Sequence, residues 1–448
     1  MSEPGLPAAA GGWGQPPAED TAGAGKPGDV AGPPQRLGLF QAVGIECEYM
    51  IVEADTLEVL PVADRVLEAV AGALECEVEV GPLRWSNELV LHVIELKLAE
   101  PTPSLARMLP AFEQHVRRIG ALLAPLGGRL LPGGMHPWMD PRTQTRLWPH
   151  EYSAVYEAFH RIFDCRAHGW ANLQSTHLNL PFADDAEFGR LHAAVRLVLP
   201  ILPALAASSP IWEGRRAPSL DQRLEVYRTN ARRVASVMGA VIPEPVFTEA
   251  DYHEQVLRPI YRDIAPLDPD GTLQHEWLNA RGAIARFSRG SIEVRLLDVQ
   301  ECPRADLAIA ELVVRVLRAL VEQRWVEFGE QRRWPVERLV PIFLACVREA
   351  EQARIDDVEY LRVFGLQSAR GVRAGELWQH LAELVLPPGR PGSEPWRPAL
   401  ETILTRGPLA RRILAALGEG EPSRERLRAV YRQLAECLEQ GRMFVPAG

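Results

Sequence analysis

Apolar residues recur along much of the chain at the spacing of one face of an α-helix. The segment 104–123 is the clearest case, because apolar residues fall there every three or four positions and Ser104 is placed to cap the N-terminus. They are Leu105, Leu109, Phe112, Val116, Ile119 and Leu123. Segments 151–165 and 305–325 are predicted helices on the same grounds, and 188–210 is a helix bent or interrupted by its prolines. After Trp325 the pattern is helical to the end, broken only at Leu386–Pro395.

Other segments alternate apolar and polar residues, as strands do. "GIECEYMIV" (44–52), "STHLNLPF" (175–182) and "GSIEVRLLDVQ" (290–300) are predicted strands, and "GGRLL" (127–131) is a short strand that runs into a Gly/Pro-rich loop. Strands and helices do not alternate with regular βαβ spacing, and no internal repeat is present. We therefore predict an α+β fold with a mainly antiparallel sheet and a helical C-terminal region.

The composition divides the chain further. Residues 1–36 are rich in Gly, Pro and Ala and are predicted to form a disordered tail. We expect residues 37–325 to form the core and 326–448 to be a helical part of the same domain. Neither GxxxxGK[ST] nor a GxGxxG after a strand occurs, so a nucleotide would have to bind without a P-loop or a Rossmann turn.

The charge balance excludes some partners. Acidic residues outnumber basic ones by 59 to 49, which disfavours a nucleic-acid partner. No stretch has the roughly 18 continuous apolar residues of a membrane span, so no membrane partner is expected. The six cysteines show no metal-binding or disulfide spacing and are expected to be reduced and mostly buried. With no signal peptide in view, we expect a cytoplasmic protein.

Two glutamates interrupt the first predicted strand. Glu46 and Glu48 are two positions apart, so their side chains point to the same face. Adjacent carboxylates repel each other unless water reaches them or a cation lies between them. A solvated outer face of the sheet would explain this pair alone.

Charged residues in three other segments change that interpretation. Glu88 and Glu95 lie in the apolar run "NELVLHVIELK", at a spacing that requires a bulge or a change of element between them. His177 shares a strand face with Ser175 and Asn179, and Glu293 shares one with Arg295. Each set alone is compatible with a structural role, such as a core histidine or a solvated face. Together, carboxylates and one imidazole on a sheet face favour a hard divalent cation, Mg²⁺ or Mn²⁺, over zinc.

Six segments in this order resemble glutamate–cysteine ligase family 2, which includes bacterial carboxylate–amine ligases that make γ-glutamyl amides. They are "GIECEYMIV", "IELKLAEP", "PGGMHPW", "QSTHLNL", "LAASSPIWEG" and "GSIEVRLLD", spread from about Leu37 to Val321. The resemblance implies a glutamine-synthetase-like fold, with ATP and metal ions over a concave antiparallel sheet. It makes 37–325 the ATP-dependent ligase core, and the C-terminal region a helical cover or an oligomer surface, as in a homodimer.

The resemblance also implies roles for individual residues. Metal ligands are expected at Glu46, Glu48, Glu88, Glu95, His177 and Glu293. Arg295 is expected to face the transferred phosphoryl group, Arg281 is a second expected catalytic arginine, and Arg223 and Asn179 are expected nucleotide contacts beside Arg295.

Several nearby residues depart from that pattern or have competing explanations. His92 lies between Glu88 and Glu95, where relatives place a further acid. Lys97 stands where a small polar residue is usual, and it would either neutralise a ligand or reach the substrate carboxylate. His136, in the Gly-rich loop, is either structural or a substrate contact. Cys47 points away from the glutamates and is expected in the core.

The reaction that the family implies joins glutamate, through its γ-carboxylate, to an amine such as cysteine. ATP would first convert the carboxylate to an acyl phosphate, and Mg²⁺ (or Mn²⁺) and an arginine would neutralise the anions that meet. The alternatives are a phosphotransferase of the same fold that acts on a small substrate, and a nucleotide-binding relative without catalysis.

Overall fold

One antiparallel sheet forms the centre of the computed structural model, which describes residues 36–386 and 394–446. The strands are β1 (Gly44–Glu53), β2 (Glu77–Val80), β3 (Leu83–Asn87), β4 (Val93–Leu98), β5 (Gly128–Leu131), β6 (Ser175–Pro181), β7 (Ile211–Trp212), β8 (Arg215–Arg216), β9 (Ala283–Arg286), β10 (Ser291–Asp298), β11 (Arg354–Ile355) and β12 (Val372–Arg373). The main sheet has the order β2-β3-β4-β1-β6-β10-β9, and β5 pairs with the second half of β1. The pairs β7–β8 and β11–β12 are separate two-stranded sheets.

Helices cover the sheet and form most of the C-terminal region. They are α1 (Ala63–Ala71), α2 (Leu109–Leu123), α3 (Pro141–Gln144), α4 (Ser153–Phe163), α5 (His168–Ala171), α6 (Asp185–Val198), α7 (Pro203–Ala206), α8 (Gln222–Asn230), α9 (Ala235–Met238), α10 (Glu249–Tyr252), α11 (Arg258–Ile264), α12 (Pro303–Val321), α13 (Phe328–Gln331), α14 (Val336–Glu349), α15 (Val358–Val363), α16 (Ala374–Val385), α17 (Arg397–Arg406), α18 (Leu409–Leu417) and α19 (Arg424–Gln440). The predicted α+β class with a mainly antiparallel sheet is confirmed. Among the described residues, no helix combines the length and the apolar composition needed to cross a lipid bilayer.

The predicted helices occur close to their expected positions. The apolar face of α2 is buried as its spacing predicts, and Leu105 is buried on a 3-10 turn that precedes the helix. The predicted cap is wrong, because the Ser104 side chain makes no capping hydrogen bond. The proline interruption is confirmed, since α6 ends at Val198, a 3-10 turn follows, and α7 begins at Pro203.

Strand β1 separates two environments. Ile45, Cys47 and Tyr49 point into the main hydrophobic core, so the buried position expected for Cys47 is confirmed. On the opposite face, Met50 and Val52 join a second apolar cluster that includes residues of α19. The first half of that same face carries Glu46 and Glu48, and it is this half that the site occupies.

The C-terminal region is helical except for β11 and β12, which the sequence pattern did not predict because each strand has only two residues. Arg412 of α18 forms a buried ion pair with Glu301 and also donates to the carbonyl oxygen of Phe444. The predicted disordered tail, apart from Arg36, and most of the predicted break at 386–395 lie outside the described residues.

Candidate functional site

The register of the strands brings the predicted acidic residues together. Glu48 of β1 lies opposite Glu95 of β4, and Glu46 lies opposite His177 of β6. On the other side of β6, Asn179 lies opposite Glu293 of β10. Because directly opposite residues of antiparallel strands share a face, one surface of four strands carries these groups.

Glu88 reaches this surface from outside the strands. It follows the last residue of β3, in the connection to β4, and so the change of element that its spacing from Glu95 required is present. All six expected metal ligands are buried. Two groups of them place one possible ligand atom from each residue within 4.8 Å of one another, namely Glu46, Glu95 and His177, and Glu48, Glu88 and Glu95.

The acidic cluster has unused acceptors. The Oε1 atoms of Glu88 and Glu95 are buried and have no hydrogen-bond partner among the described residues. Burial raises the pKa of Glu95 to about 8, against the lowering effect of Lys97. Burial also raises the pKa of Glu88, and the charges of Glu48 and Glu95 raise it further. Buried carboxylate oxygens without donors, together with an imidazole, fit a hard divalent cation.

The other carboxylates are held in fixed orientations. Oε2 of Glu48 accepts hydrogen bonds from the backbone N–H and the hydroxyl of Ser175, at 2.7 and 3.0 Å. Oε1 of Glu46 accepts from the side-chain amide of Asn179 at 2.9 Å, so Asn179 orients an expected metal ligand.

His177 lies between these carboxylates. Its Nε2 is 2.8 Å from the Ser175 hydroxyl, and its Nδ1 is 3.4 Å from Oε2 of Glu46. Burial lowers the pKa of His177, but its hydrogen bond to Glu46 and the charges of Glu48 and Glu293 outweigh burial, so the pKa is raised overall.

Two arginines face the same space as the acids. Nε of Arg295 donates to Oε1 of Glu293 at 2.6 Å. Arg223, in the first turn of α8, donates from Nε to the Asp298 carboxylate and from Nη2 to the backbone oxygen of Arg295 at 3.2 Å. Both arginines, with Glu48, Glu88 and His177, line one pocket. Guanidinium groups and carboxylates therefore lie together in the lining of this pocket.

Six of the twelve residues that line the pocket are apolar or aromatic, and sequence analysis did not identify them. Besides Ser175, the remaining lining residues are Leu89, Val90, Val93, Trp170, Leu173 and Tyr227. In the sequence they are indistinguishable from core residues. The pocket therefore suits a ligand with an anionic part and an apolar part.

Asp298 supports Arg223 and was also missed. Besides the arginine, its Oδ2 accepts from the backbone N–H of Ser208 at 2.8 Å and from the Ser209 hydroxyl at 2.8 Å. Gly134 packs directly against it, and a Cβ added there would overlap the carboxyl group. The "SSP" and "PGG" segments thus enclose this carboxylate, and an aspartate ending a buried strand was the signal available in the sequence.

Arg281 is not brought to the site. Its Nε and Nη2 donate to the two carboxylate oxygens of Glu244 at 2.6 and 2.7 Å, and its Nη1 donates to the Ser236 carbonyl at 3.1 Å. Glu244 thus holds the guanidinium in an ion pair, and the catalytic role expected for Arg281 stays a prediction. It is also absent from the residues that line the pocket.

Two histidines near the site bond to backbone carbonyls. Nε2 of His136 is 2.7 Å from the Leu57 oxygen, and burial lowers the His136 pKa to about 3. Nε2 of His92 is 2.8 Å from the Ala171 oxygen, and burial lowers its pKa to about 4. Both are neutral in the fold and serve a structural role.

Lys97 lies beside the acidic cluster. Its Nζ is 3.0 Å from Oε2 of Glu95 and 2.7 Å from Oε2 of Glu77. Of the two alternatives open from the sequence, this position favours neutralisation of a ligand.

Comparison with known proteins places this geometry in context. A family model described as glutamate-cysteine ligase family 2 matches residues 42–433. The match extends well past Val321, where the resemblance of the motifs ended, and takes in the C-terminal helices. An uncharacterized protein of Archaeoglobus fulgidus is 31% identical over 76% of this chain and 93% of its own. A protein of Paracoccus denitrificans named "Putative glutamate--cysteine ligase 2" is 25% identical over 87% of this chain and 95% of its own.

Two solved structures share the fold at low sequence identity. A glutamate–cysteine ligase from Francisella tularensis, in complex with AMP, has a TM-score of 0.54 at 12% identity and covers 90% of this chain and 89% of its own. A bifunctional glutathione synthetase from Pasteurella multocida has the same TM-score at 15% identity, and this chain spans about half of its length (52%).

Proposed function

Because the chain belongs to glutamate–cysteine ligase family 2, we propose that it is an ATP- and Mg²⁺-dependent carboxylate–amine ligase. The observation that carries the proposal is one pocket that buried Glu48 and Glu88 line together with Arg223 and Arg295, and in which Oε1 of Glu88 has no hydrogen-bond partner among the described residues. We propose glutamate as the donor, through its γ-carboxylate, and an amine such as cysteine as the acceptor.

The acidic surface would hold the divalent cations. Glu46, Glu95 and His177 form one set of ligands, and Glu48, Glu88 and Glu95 form another. Glu293 lies 3.9 Å from Nδ1 of His177 and extends the first set. Bound Mg²⁺-ATP would supply the phosphoryl group and the positive charge that brings two anions together.

The arginines would act on the anions that react. A carboxylate cannot acylate an amine directly because its oxygen is a poor leaving group. In the proposed reaction a carboxylate oxygen attacks the γ-phosphorus and ADP leaves; the amine then attacks the acyl carbon, loses its proton and expels phosphate. Arg295 and Arg223 present fixed positive charge to the phosphoryl oxygens, and the buried pocket strengthens that attraction.

The shape of the pocket suits the substrates of this reaction. The polyphosphate and the carboxylate belong on the side of the arginines and acids. Trp170 and Tyr227, which line the pocket, would limit the access of water and shelter an acyl phosphate from hydrolysis.

The direct test is ADP release from Mg²⁺-ATP with glutamate, with and without a panel of amines that includes cysteine. We expect release that needs both glutamate and one amine, with a new amide of the matching mass. Release without an amine, together with a phosphorylated product, would instead identify a phosphotransferase. No release with any pair, although ATP binds, would contradict the proposed donor or indicate a non-catalytic protein.

A single variant connects the activity to the acidic surface. Glu48→Gln keeps an oxygen for the two hydrogen bonds from Ser175 but removes the charge, so we expect normal folding and a loss of ADP release on the order of a hundredfold or more. Glu53→Gln is the matched control, because Glu53 is an exposed glutamate at the end of the same strand. Full activity of Glu48→Gln would rule out the proposed metal site.

A further inference from the structure

Lys97 places a fixed positive charge inside the acidic surface. It lies two positions after Glu95 on β4, so both side chains point to the same face. In the register of the sheet it lies between Glu46 of β1 and Arg84 of β3. Only 13% of its side chain is exposed. A lysine that is buried among carboxylates keeps its charge in place, because leaving those carboxylates unpaired is costly.

The partner of Lys97 is the residue that both candidate cation positions share. Glu95 belongs to the set with Glu46 and His177 and to the set with Glu48 and Glu88. Its Oε2 accepts from the Ser86 hydroxyl at 2.7 Å and from Lys97 at 3.0 Å. Its Oε1 has no hydrogen-bond partner among the described residues. One carboxylate oxygen is thus left for two cation positions.

Two obstacles oppose the binding of a second divalent cation to the acidic surface. It would compete for the remaining oxygen of Glu95, or displace the ammonium from the other one. It would also approach the ammonium of Lys97 in a buried environment, where repulsion between cations is weakly screened.

The contact between Lys97 and the edge strand β2 does not by itself explain why a lysine lies at this position. Lys97 also bonds Glu77 of β2, but Arg84 lies within 3.7 Å of Glu77 and within 3.3 Å of Glu79 on that strand. Arg84 therefore also pairs with the acidic residues of β2. The contact with Glu95 is what distinguishes Lys97 from Arg84.

We propose that Lys97 is a resident cation that limits the acidic surface to one tightly bound divalent ion while no nucleotide is present. The inference rests on the proposed function, since it takes the acidic surface to be a metal site. It makes Lys97 a residue that determines the metal stoichiometry of the enzyme.

Mn²⁺ binding to the nucleotide-free full-length protein tests the proposal, with equilibrium dialysis and electron paramagnetic resonance to count bound and free ions. The wild type is expected to bind one Mn²⁺ tightly. Lys97→Met, which keeps the apolar stem, is expected to bind a second Mn²⁺ roughly tenfold or more tightly than the wild type does. Arg84→Met is the matched control: it removes a positive charge from the same row of the sheet without a contact to Glu95, and it should bind as the wild type does.

The outcomes separate this inference from the proposed function. One Mn²⁺ in both the wild type and Lys97→Met, with unchanged affinity, overturns the role of Lys97 and leaves the metal site standing. No bound Mn²⁺ in any protein overturns both. If circular dichroism shows that Lys97→Met is not folded, Lys97→Gln replaces the ammonium with a neutral polar group, and the same two results decide.

Discussion

The buried pair of Arg223 and Asp298 supports a quantitative prediction about the arginine side of the pocket. Asp298→Asn removes the charge that faces Arg223 while nearly keeping the volume of the side chain. Both residues are almost completely buried, so the guanidinium would stay in the protein without its partner. Removing one partner of such a pair costs about 3–5 kcal/mol of unfolding free energy.

A second carboxyl places the expected cost at the lower end of that range. Asp221 caps α8 with one oxygen, which accepts from the backbone N–H of Leu224 at 3.0 Å. Burial raises the pKa of Asp221, and the charge of Asp298 raises it further while Arg223 lowers it. With Asp298 neutralised, Asp221 can ionise and partly replace it. We therefore expect Asp298→Asn to cost about 3 kcal/mol.

The opposite change should cost less. Arg223→Met leaves the Asp298 carboxylate without its cation, but the donors of Ser208 and Ser209 still stabilise its charge, and we expect a loss of about 1–3 kcal/mol. The double variant has no buried guanidinium without a partner. Its cost should fall below the sum of the single variants by about 2 kcal/mol, within the range measured for residues in contact.

Urea unfolding of the wild type, the two single variants and the double variant measures this coupling, provided that the slope with denaturant stays constant. Additivity of the two substitutions within about 0.5 kcal/mol would refute the reasoning, because it would show that Asp298 and Arg223 contribute independently.

Three further predictions follow from positions around the site. Gly134→Ala should destabilise the protein by about 1–3 kcal/mol, because the added Cβ would overlap the Asp298 carboxyl group. Gly120→Ala in α2 has open space around it and should stabilise the protein by about 0.5–1 kcal/mol. Thermal melts of both variants check this, and equal shifts of the melting temperature would contradict it. Arg281→Met should lower the melting temperature but change the rate of ADP release by less than about tenfold (1.4 kcal/mol), because the Arg281 guanidinium is paired with Glu244 outside the pocket. A larger loss of activity would support a catalytic role for Arg281. Burial, reinforced by a neighbouring arginine, lowers the pKa of His192 to about 3, below its value in the unfolded chain. The neutral form of His192 therefore stabilises the fold fully above about pH 6.5, and this stabilisation decreases as the pH falls from about 6.5 toward 3. The unfolding free energy of the wild type relative to His192→Gln should therefore fall by about 1.4 kcal/mol per pH unit between pH 6 and 4 in urea titrations, and a constant difference would show that His192 is not the titrating group.

The periodicity of apolar and polar residues predicted many of the helices and strands, and it predicted the part of the site that lies on β1. The alternation along β1 was enough to place Glu46 and Glu48 on one face and Cys47 on the other, because a period of two is a property of the strand itself. Which residue lies opposite Glu48 is set by pairing with a strand about fifty positions away, and no local pattern specifies that register. The shared chemistry of carboxylates and an imidazole, together with the family resemblance, connected Glu95 and His177 to the pair, and the periodicity did not.

A bulge in β10 explains why sequence analysis did not identify Asp298 as part of the site. Glu293 and Arg295 face the site, and a regular strand would place residue 297 with them. The register between β10 and β6 shifts between Val294 and Leu297, so Leu297 lies opposite Thr176 and Asp298 lies opposite Ser175. An inserted residue reverses the alternation beyond it, and sequence spacing alone cannot show where that happens.

Arg281 shows a different limit. The alternation along its strand placed Arg295 on one face with Glu293, whereas only the family resemblance made Arg281 a candidate. Arg281 pairs with Glu244, which lies 37 positions earlier in the chain, and no local pattern in the sequence specifies that pair.

The order of the strands also determines when the site can exist during folding. The central strand β1 pairs with β4, β5 and β6, and the acidic surface is complete only when β10 has added Glu293 to the far side of β6. Contacts between such distant parts of the chain form late, because long loops must close first. In a chain still being synthesised, Glu46, Glu48, Glu88 and Glu95 emerge together with Lys97 and long before Glu293 and Arg295, so most of the acidic surface is available before its last carboxylate. Glu48 and Glu95 come together when β4 pairs with β1, whereas His177 reaches Glu46 only when β6 has paired with β1. Mn²⁺ affinity during refolding should therefore appear before β10 docks and should change when β6 docks, so that metal binding reports the order in which the strands pair.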